Sequence, residues 1–264
     1  MAPVPEKVTR IVKLLERVEN ATACTMRSEE RVPALWEVNM RRNARKQVGA
    51  PAGVRHRPGE PEAAAPERIP RRRNAHMAVL AGTDFFTVEV LTWRGLASYY
   101  VLFFIHLESR RISLAGLTRH PTTEWMLQMA RNATDESSGF LRGQRYVLHD
   151  RDTKFCAAFQ DVLRSSGIEP LALPPRSPNL NAFAERWVRS IKQDCLSKLI
   201  LFGETSLRRT LSEFIDHYHS ERNHQGKGNL LLFPSPVVAI AQSRRTVRCS
   251  ERLGGLLRFY SRAA

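Results

Sequence analysis

Three stretches decide the fold of this chain: MAVLAGTDFFTVEVL at residues 77–91, YYVLFFIHL at 99–107 and RISLAGL at 111–117. All three are rich in β-branched and aromatic residues, which favour strands. Arg94-Gly95 and Glu108-Ser109-Arg110 separate them, and short polar connections of this kind favour turns between neighbouring strands. The pattern therefore predicts three consecutive antiparallel strands.

Beyond these strands the chain alternates between helical and extended patterns. The spacing predicts helices over Thr122–Ala133, Phe155–Ser165, Asn181–Lys198 and Leu207–Ser220, and strands over Arg145–Leu148 and Glu169–Leu173. The prolines of Pro174–Pro178 predict a loop. A meander followed by alternating helices and strands predicts an α/β fold with a central mixed sheet flanked by helices.

The charge balance of the whole chain is strongly basic. Its 264 residues include 41 Lys and Arg against 26 Asp and Glu, a net charge of +15. A polyanionic partner, most simply nucleic acid, explains such self-repulsion; a basic surface that serves only solubility is the alternative. Four scattered cysteines indicate neither a zinc site nor a disulfide framework. With no secretory signal and no apolar run long enough to span a membrane, we expect no membrane partner and a cytoplasmic location.

Residues 1–76 differ in character from the rest. A helical pattern covers residues 5–20, and residues 51–73 form a Pro-rich basic segment typical of an extended linker. The stretch between them shows no convincing pair of helices, so a truncated DNA-binding segment and a decayed one both stay open. We therefore divide the chain into a basic N-terminal region (1–76), a core (77–240) and a basic C-terminal tail (241–264).

Three carboxylates occur where the predicted elements begin or end. Asp84 lies among apolar residues of the first strand, Asp150 follows the strand at 145–148, and Glu185 lies one turn into the helix at 181–198. Each has a plain structural explanation. Asp84 would face water on an edge strand, Asp150 would start a turn, and Glu185 would belong to a solvated ladder of salt bridges.

Together the three acids indicate a metal site. Two carboxylates on neighbouring strands and one on a helix supply the hard oxygen ligands that Mg²⁺ or Mn²⁺ prefers. Two such ions can activate a water or a 3′-hydroxyl and stabilise the leaving oxygen of a phosphodiester. Arg189 and Lys192 share a helix face with Glu185, where they could contact phosphates.

Several motifs in order resemble one family. These are Asp84-Phe85-Phe86, HDRDTKF at 149–155, PNLNAFAERW at 178–187, YHSERNHQG at 218–226 and RLGGLLRFY at 252–260. Over residues 77 to 260 the chain resembles the integrase catalytic core of bacterial insertion-sequence transposases, the retroviral-integrase-like D,D,E family. The interval between Asp150 and Glu185 is one residue shorter than is usual there, and Asp152 fits the spacing less well. Residues 1–76 match the family's helical DNA-binding region poorly.

The resemblance implies a ribonuclease H-like fold with a five-stranded sheet. It also implies a transposase or integrase that cleaves and transfers DNA strands with two Mg²⁺ or Mn²⁺ ions. Asp84, Asp150 and Glu185 would be the catalytic metal ligands, and we assign DNA contacts to Arg189, Lys192, Lys154 and Arg186. We expect a homo-oligomer on DNA in the bacterial nucleoid. The alternatives are another ribonuclease H-like nuclease and an inactive DNA-binding remnant of a transposase.

Overall fold

The computed structural model describes residues 77–174, 181–224, 229–234 and 247–262. These residues belong to a compact unit that spans Arg72–Ala264. The helix predicted at 5–20, the linker predicted at 51–73 and most of the loop predicted after Pro174 lie outside the described residues.

A mixed sheet of five strands forms the centre of this unit. Its strands are β1 (Leu80–Thr92), β2 (Gly95–His106), β3 (Ile112–Thr118), β4 (Tyr146–His149) and β5 (Glu169–Ala172). They lie in the order β3-β2-β1-β4-β5. The first three form an antiparallel meander, whereas β4 pairs parallel to β1 and β5 parallel to β4. The predicted mixed five-stranded sheet is confirmed, with strand ends within a few residues of the expected positions.

Among the described residues, four helices flank the sheet. They are α1 (Thr123–Thr134), α2 (Ala157–Ser165), α3 (Ala182–Asp194) and α4 (Gly203–Ser220), and a short 3₁₀ helix (Leu196–Lys198) follows α3. The Thr122 side chain accepts a hydrogen bond from the Trp125 amide, which caps α1. All four predicted helices are confirmed; the 3₁₀ turn shortens the third, and α4 begins before its predicted start at Leu207.

The strict alternation of side chains along β2 divides the core between the two faces of the sheet. Leu102 and Phe104 belong to a buried cluster that includes Met126 of α1 and Phe159 of α2. Phe103, between them, points to the opposite face, where its ring centroid lies 4.3 Å from that of Trp187 of α3. Both faces of the sheet are therefore covered, which is why β2 is a continuous apolar run.

Residues 247–262, predicted as a basic tail, form a hairpin of β8 (Val247–Arg252) and β9 (Leu257–Arg262). Two further short strands, β6 (Asn223–His224) and β7 (Leu230–Leu231), precede it. The hairpin is joined to the end of α4 by Arg252, whose Nε and NH2 both donate to the Glu221 carboxylate at 2.8–3.0 Å. The Leu253 amide also donates to the Glu213 carboxylate at 3.0 Å. Charge pairing thus holds this segment against the core.

None of the helices in the described ranges is long and apolar enough to cross a membrane.

Trp187 offers a direct test of this core. Its side chain is fully buried and contacts the rings of Phe86 and Phe103. We expect Trp187→Ala to lower the free energy of unfolding by about 3–5 kcal/mol, because it leaves a large cavity beside the central strands. The control is Trp93→Ala, at a position 93% exposed in the β1–β2 turn, which should cost less than about 1 kcal/mol. Urea unfolding measures both; equal losses would contradict this description of the core.

Candidate active site

The first two predicted acids lie where neighbouring strands separate. The parallel pairing of β1 with β4 ends at Gly82 and Leu148. Extending this register by two residues brings Asp84 beside Asp150, just beyond the last residue of β4. Asp84 lies on the α3 side of the sheet, the side of Phe86, because alternate residues of β1 face the same way. The carboxyl ends of such strands are a common place for sites in α/β proteins.

The electrostatic environment of Asp84 connects the predicted acids. The pKa of this half-buried carboxyl is raised from its ordinary value of 3.8 to about 6. Burial is the main cause, the backbone hydrogen bond from Phe85 lowers the pKa, and the negative charges of Asp150, Glu185 and Asp152 raise it. All four acids therefore share one electrostatic neighbourhood. An acid held above its ordinary pKa by burial and by like charges is typical of functional sites.

The three predicted carboxylates have the chemistry that binds a divalent cation, although their side chains are not close enough together to coordinate one. Within the described ranges, no three Asp, Glu, His or Cys side chains are grouped closely enough to hold a metal ion as they stand. The oxygen chemistry of Asp84, Asp150 and Glu185 fits Mg²⁺ or Mn²⁺, which both prefer carboxylate ligands.

Asp152, the poorer candidate by spacing, has a different partner. Its carboxylate accepts hydrogen bonds from the Lys154 amide at 3.0 Å and from Lys154 Nζ at 2.5 Å. Burial raises the pKa of Asp152, but the bonds from Lys154 outweigh this and leave the pKa below its ordinary value. The Asp152 amide in turn donates to the Asp150 carboxylate at 3.1 Å. Asp152 therefore builds the loop that orients Asp150.

The predicted DNA contacts fall into two groups. Glu185, Arg189 and Lys192 are all exposed on one face of α3, as their spacing requires. The other two are half-buried: Lys154 is paired with Asp152, and Arg186 lies near the buried Tyr218, whose pKa its positive charge lowers. The structure thus leaves Arg189 and Lys192 accessible to a phosphate backbone beside Glu185.

Sequence reasoning missed Asn181. An asparagine at the start of a helix usually caps it, yet the Asn181 side chain makes no capping hydrogen bond. It is 5% exposed and turned inward, where Nδ2 lies 3.4 Å from the Asp84 carboxylate. A Cβ at Gly82 would approach Asn181 Oδ1 to 3.1 Å, so the glycine makes room for this amide. Only the Asn-Leu-Asn sequence before the helix signalled a special residue here.

His149 supports the second acid through the backbone. Its buried ring places Nδ1 2.6 Å from the Asp150 carbonyl, and an acceptor there requires that Nδ1 carries the proton. Burial lowers the pKa of His149, so the ring is neutral at pH 7. The ring at the end of β4 is thus held in place by a hydrogen bond to the backbone.

The elevated pKa of Asp84 predicts a pH-dependent stability in metal-free protein. Because the folded state holds its proton up to about pH 6 and the unfolded state releases it near 3.8, this carboxyl lowers the free energy of unfolding as the pH rises through that window. The full effect is at most about 3 kcal/mol. Asp84→Asn should therefore leave stability nearly unchanged at pH 4 and increase it at pH 7. Urea unfolding with a chelator tests this, with the exposed Asp161→Asn as control; a gain that is the same at both pH values would contradict it.

Comparisons with known proteins support the resemblance found in the sequence. Residues 166–231 match a family model described as Integrase core domain. No functionally curated protein matches the chain. The matched segment contains the third predicted acid and the helix that bears it.

Solved structures with a similar arrangement include three viral integrases. The catalytic core domain of BIV integrase is 14% identical, and the match covers 56% of this chain and 87% of that chain with a TM-score of 0.38. The HTLV-2 integrase catalytic core domain in complex with magnesium is 14% identical, and the match covers 58% of this chain and 92% of that chain with a TM-score of 0.41. The simian T-cell lymphotropic virus intasome in complex with the PP2A regulatory subunit B56 gamma is 13% identical, and the match covers 70% of this chain and 67% of that chain with a TM-score of 0.43. The segment at residues 166–231, which holds Glu185, is similar to the Integrase core domain family and lies within a mixed five-stranded α/β fold.

Proposed function

We propose that this chain is a transposase or integrase that cleaves a DNA strand and transfers its 3′ end to a second DNA. The observation that carries the proposal is Asp84, a half-buried acid whose pKa is raised by burial and by the charges of Asp150, Glu185 and Asp152. Grouping these acids at one place is electrostatically unfavourable, although the protein as a whole carries a net charge of +15. A divalent metal bound with DNA would offset it.

In this proposal Asp84, Asp150 and Glu185 hold the metal, two ions of Mg²⁺ or Mn²⁺ as in two-metal phosphoryl transfer. The metal would supply Lewis acidity to the scissile phosphodiester and lower the pKa of an attacking hydroxyl group. The protein's own residues prepare this site. Asn181 and the Phe85 amide hold the two oxygens of the Asp84 carboxylate, at 3.4 and 2.7 Å. The Asp152 amide holds the carboxylate of Asp150.

The accessible bases on α3 would orient the DNA. Arg189 and Lys192 follow Glu185 by one and two turns on an exposed face, so a backbone along the helix would meet the metal ligand and then two cations. Such contacts position the DNA without reading its sequence. A cytoplasmic, nucleoid-associated location and a homo-oligomer on DNA are parts of the same proposal, and they follow from its substrate and from the family resemblance.

The alternatives make different predictions about chemistry. An inactive remnant would bind DNA without cleaving it, and another nuclease of this fold would cleave without transferring strands. An assay that supplies DNA ends, target DNA and either metal distinguishes the three outcomes.

The first test replaces a proposed metal ligand. Asp150→Asn keeps the size and most hydrogen bonds of the side chain but removes one ligand charge, so metal-dependent cleavage should fall by several orders of magnitude. DNA binding in chelator should persist or tighten, because one negative charge facing phosphate is lost. Gel assays of cleavage and fluorescence anisotropy of binding measure the two effects.

The matched control is Asp161→Asn on the exposed surface of α2, which should cleave like the parent. Full cleavage by Asp150→Asn would reject Asp150 as a ligand and make Asp152 the next residue to test. Absence of cleavage by the parent itself with Mg²⁺ or Mn²⁺ would favour the remnant.

The second test concerns the bases of α3. Removing both with Arg189→Gln and Lys192→Gln should lower the slope of log affinity against log salt by about 1.8, since each neutralised phosphate releases about 0.9 counterion. The control, Arg131→Gln with Arg142→Gln, removes two exposed charges from α1 and the segment that follows it and should leave the slope unchanged. Equal slopes for the parent and the α3 variant would remove Arg189 and Lys192 from the DNA-contact surface.

A further inference from the structure

Arg110 has an unfavourable backbone conformation in the turn between β2 and β3. Its φ is +62°, in the left-handed region that glycine or asparagine adopts more easily, at a cost of about 1 kcal/mol for other residues. Its amide donates to the His106 carbonyl at 2.9 Å, which closes the turn. Because glycine would satisfy this turn better, the structure indicates a use for the arginine side chain.

The Arg110 side chain turns inward and stacks on an aromatic ring. Its guanidinium carbon lies 3.3 Å above the centroid of Phe183, on the first turn of α3. Its Nε is buried and has no hydrogen-bond partner, and no carboxylate in the described part of the chain pairs with it. Burial, and then the charge of Arg186, lower its pKa to about 10 against the opposing effect of Tyr218, so it is still a cation at neutral pH.

Two further arginines share this neighbourhood. Arg186 lies one turn along α3 from Phe183, on the same side of the helix. The Arg222 guanidinium lies 6.0 Å from the ring of Tyr218 and pairs with Asp194 at 2.5 Å. Tyr218 is buried, which raises its pKa, whereas the positive charges of Arg110, Arg222 and Arg186 lower it, so all three cations act on this one side chain. We name Arg110, Arg186, Arg222 and Tyr218 the arginine cluster.

This arrangement favours an anion. Like charges brought together in a partly buried place repel one another, and the only carboxylate paired with Arg110 or Arg222 in the described residues is Asp194, which neutralises Arg222. A guanidinium that stacks on a ring keeps its N–H edge free to donate in its plane, a geometry that matches the oxygens of a phosphate. The Tyr218 hydroxyl would add a further donor.

We propose that the arginine cluster binds a backbone phosphate of the DNA substrate beside the acidic site. This inference rests on the proposed function for its ligand. Arg186 directly follows Glu185 on α3, so a phosphate in the cluster and a phosphodiester at the acids would lie along one helix. Arg189 and Lys192 lie further along the exposed face of α3, whereas the arginine cluster would contact the DNA strand at the β2–β3 turn. Its contacts carry no base information and fix only the position of the DNA.

The test is DNA binding in chelator as a function of salt, measured for Arg110→Asn. Asparagine accepts the left-handed conformation, so the turn is retained while the guanidinium is removed. The slope of log affinity against log salt should fall by about 0.9, the value for one phosphate. Arg131→Asn, which removes an exposed charge from α1, should keep the parental slope. Arg110→Lys should keep the slope but weaken affinity several-fold, because an ammonium group lacks the planar donor edge.

Three outcomes would overturn the proposal. A parental slope and affinity in Arg110→Asn, together with a lower melting temperature, would mean that the arginine serves only to stack on Phe183. Equal effects of Arg110→Asn and Arg131→Asn on the salt dependence of DNA affinity would mean that Arg110 contributes only to the general positive charge of the protein. If inorganic phosphate raises the melting temperature of the parent but not of Arg110→Asn, while the DNA slopes agree, the cluster binds free phosphate instead. The binding experiment is done in chelator and does not depend on metal. A parent protein that fails to cleave DNA strands would therefore reject the proposed function without changing the binding result for the arginine cluster.

Discussion

The placement of an ionisable acid on the central strand is the constraint on which the rest of this structure depends. Asp84 lies between Thr83 and Phe85 on a strand whose neighbours are almost entirely apolar, and burial raises its pKa to about 6. A charged carboxylate there is costly unless something compensates it. Within the described residues, the Asp84 carboxylate accepts hydrogen bonds from one backbone amide and, at 3.4 Å, from the Asn181 side chain, while three further acids lie nearby. The arrangement is stable only as far as the surrounding core can support it.

That support comes from the two covered faces of the sheet. Trp187 packs against Phe86 and Phe103 on the face of the sheet that Asp84 shares, so the helix that carries Glu185 is attached to the strand that carries the first acid. Gly82 gives Asn181 room to reach the carboxylate. The apolar packing and the acidic group are therefore consequences of the same helix position, and a shift of α3 would alter both.

Local pattern was sufficient to predict the elements and the positions of the acids. The strands of the meander are long and rich in β-branched and aromatic residues, and Asp150 follows a strand whose end is clear from its composition. The boundaries of α3 and α4 were less accurate, because a 3₁₀ turn and an early helix start depend on tertiary contacts.

Features that depend on long-range contacts could not be predicted. Asn181 resembles an ordinary helix cap until its neighbour Asp84, distant in sequence, is known. The hairpin at residues 247–262 has short, polar strands, and its attachment depends on the pairing of Arg252 with Glu221. Arg110 occurs in a polar turn where its charge is unremarkable, and only the ring of Phe183 above which it lies makes it unusual. In each case the information lies in a partner remote along the chain.

Two unfavourable charged groups of opposite sign, one acidic and one basic, lie beside α3, and a single ligand would neutralise both. Asp84 is a carboxyl group among like charges, and Arg110 is a buried cation in a strained turn beside further arginines. Neither residue favours the stability of the fold, since an apolar residue at position 84 and glycine at position 110 would cost less free energy. Metal-bearing DNA would bring a divalent cation to the acids and a phosphate to the arginines together. Under the proposed function the two sites are halves of one interaction, and each is unfavourable in the free protein because its partner arrives with the substrate.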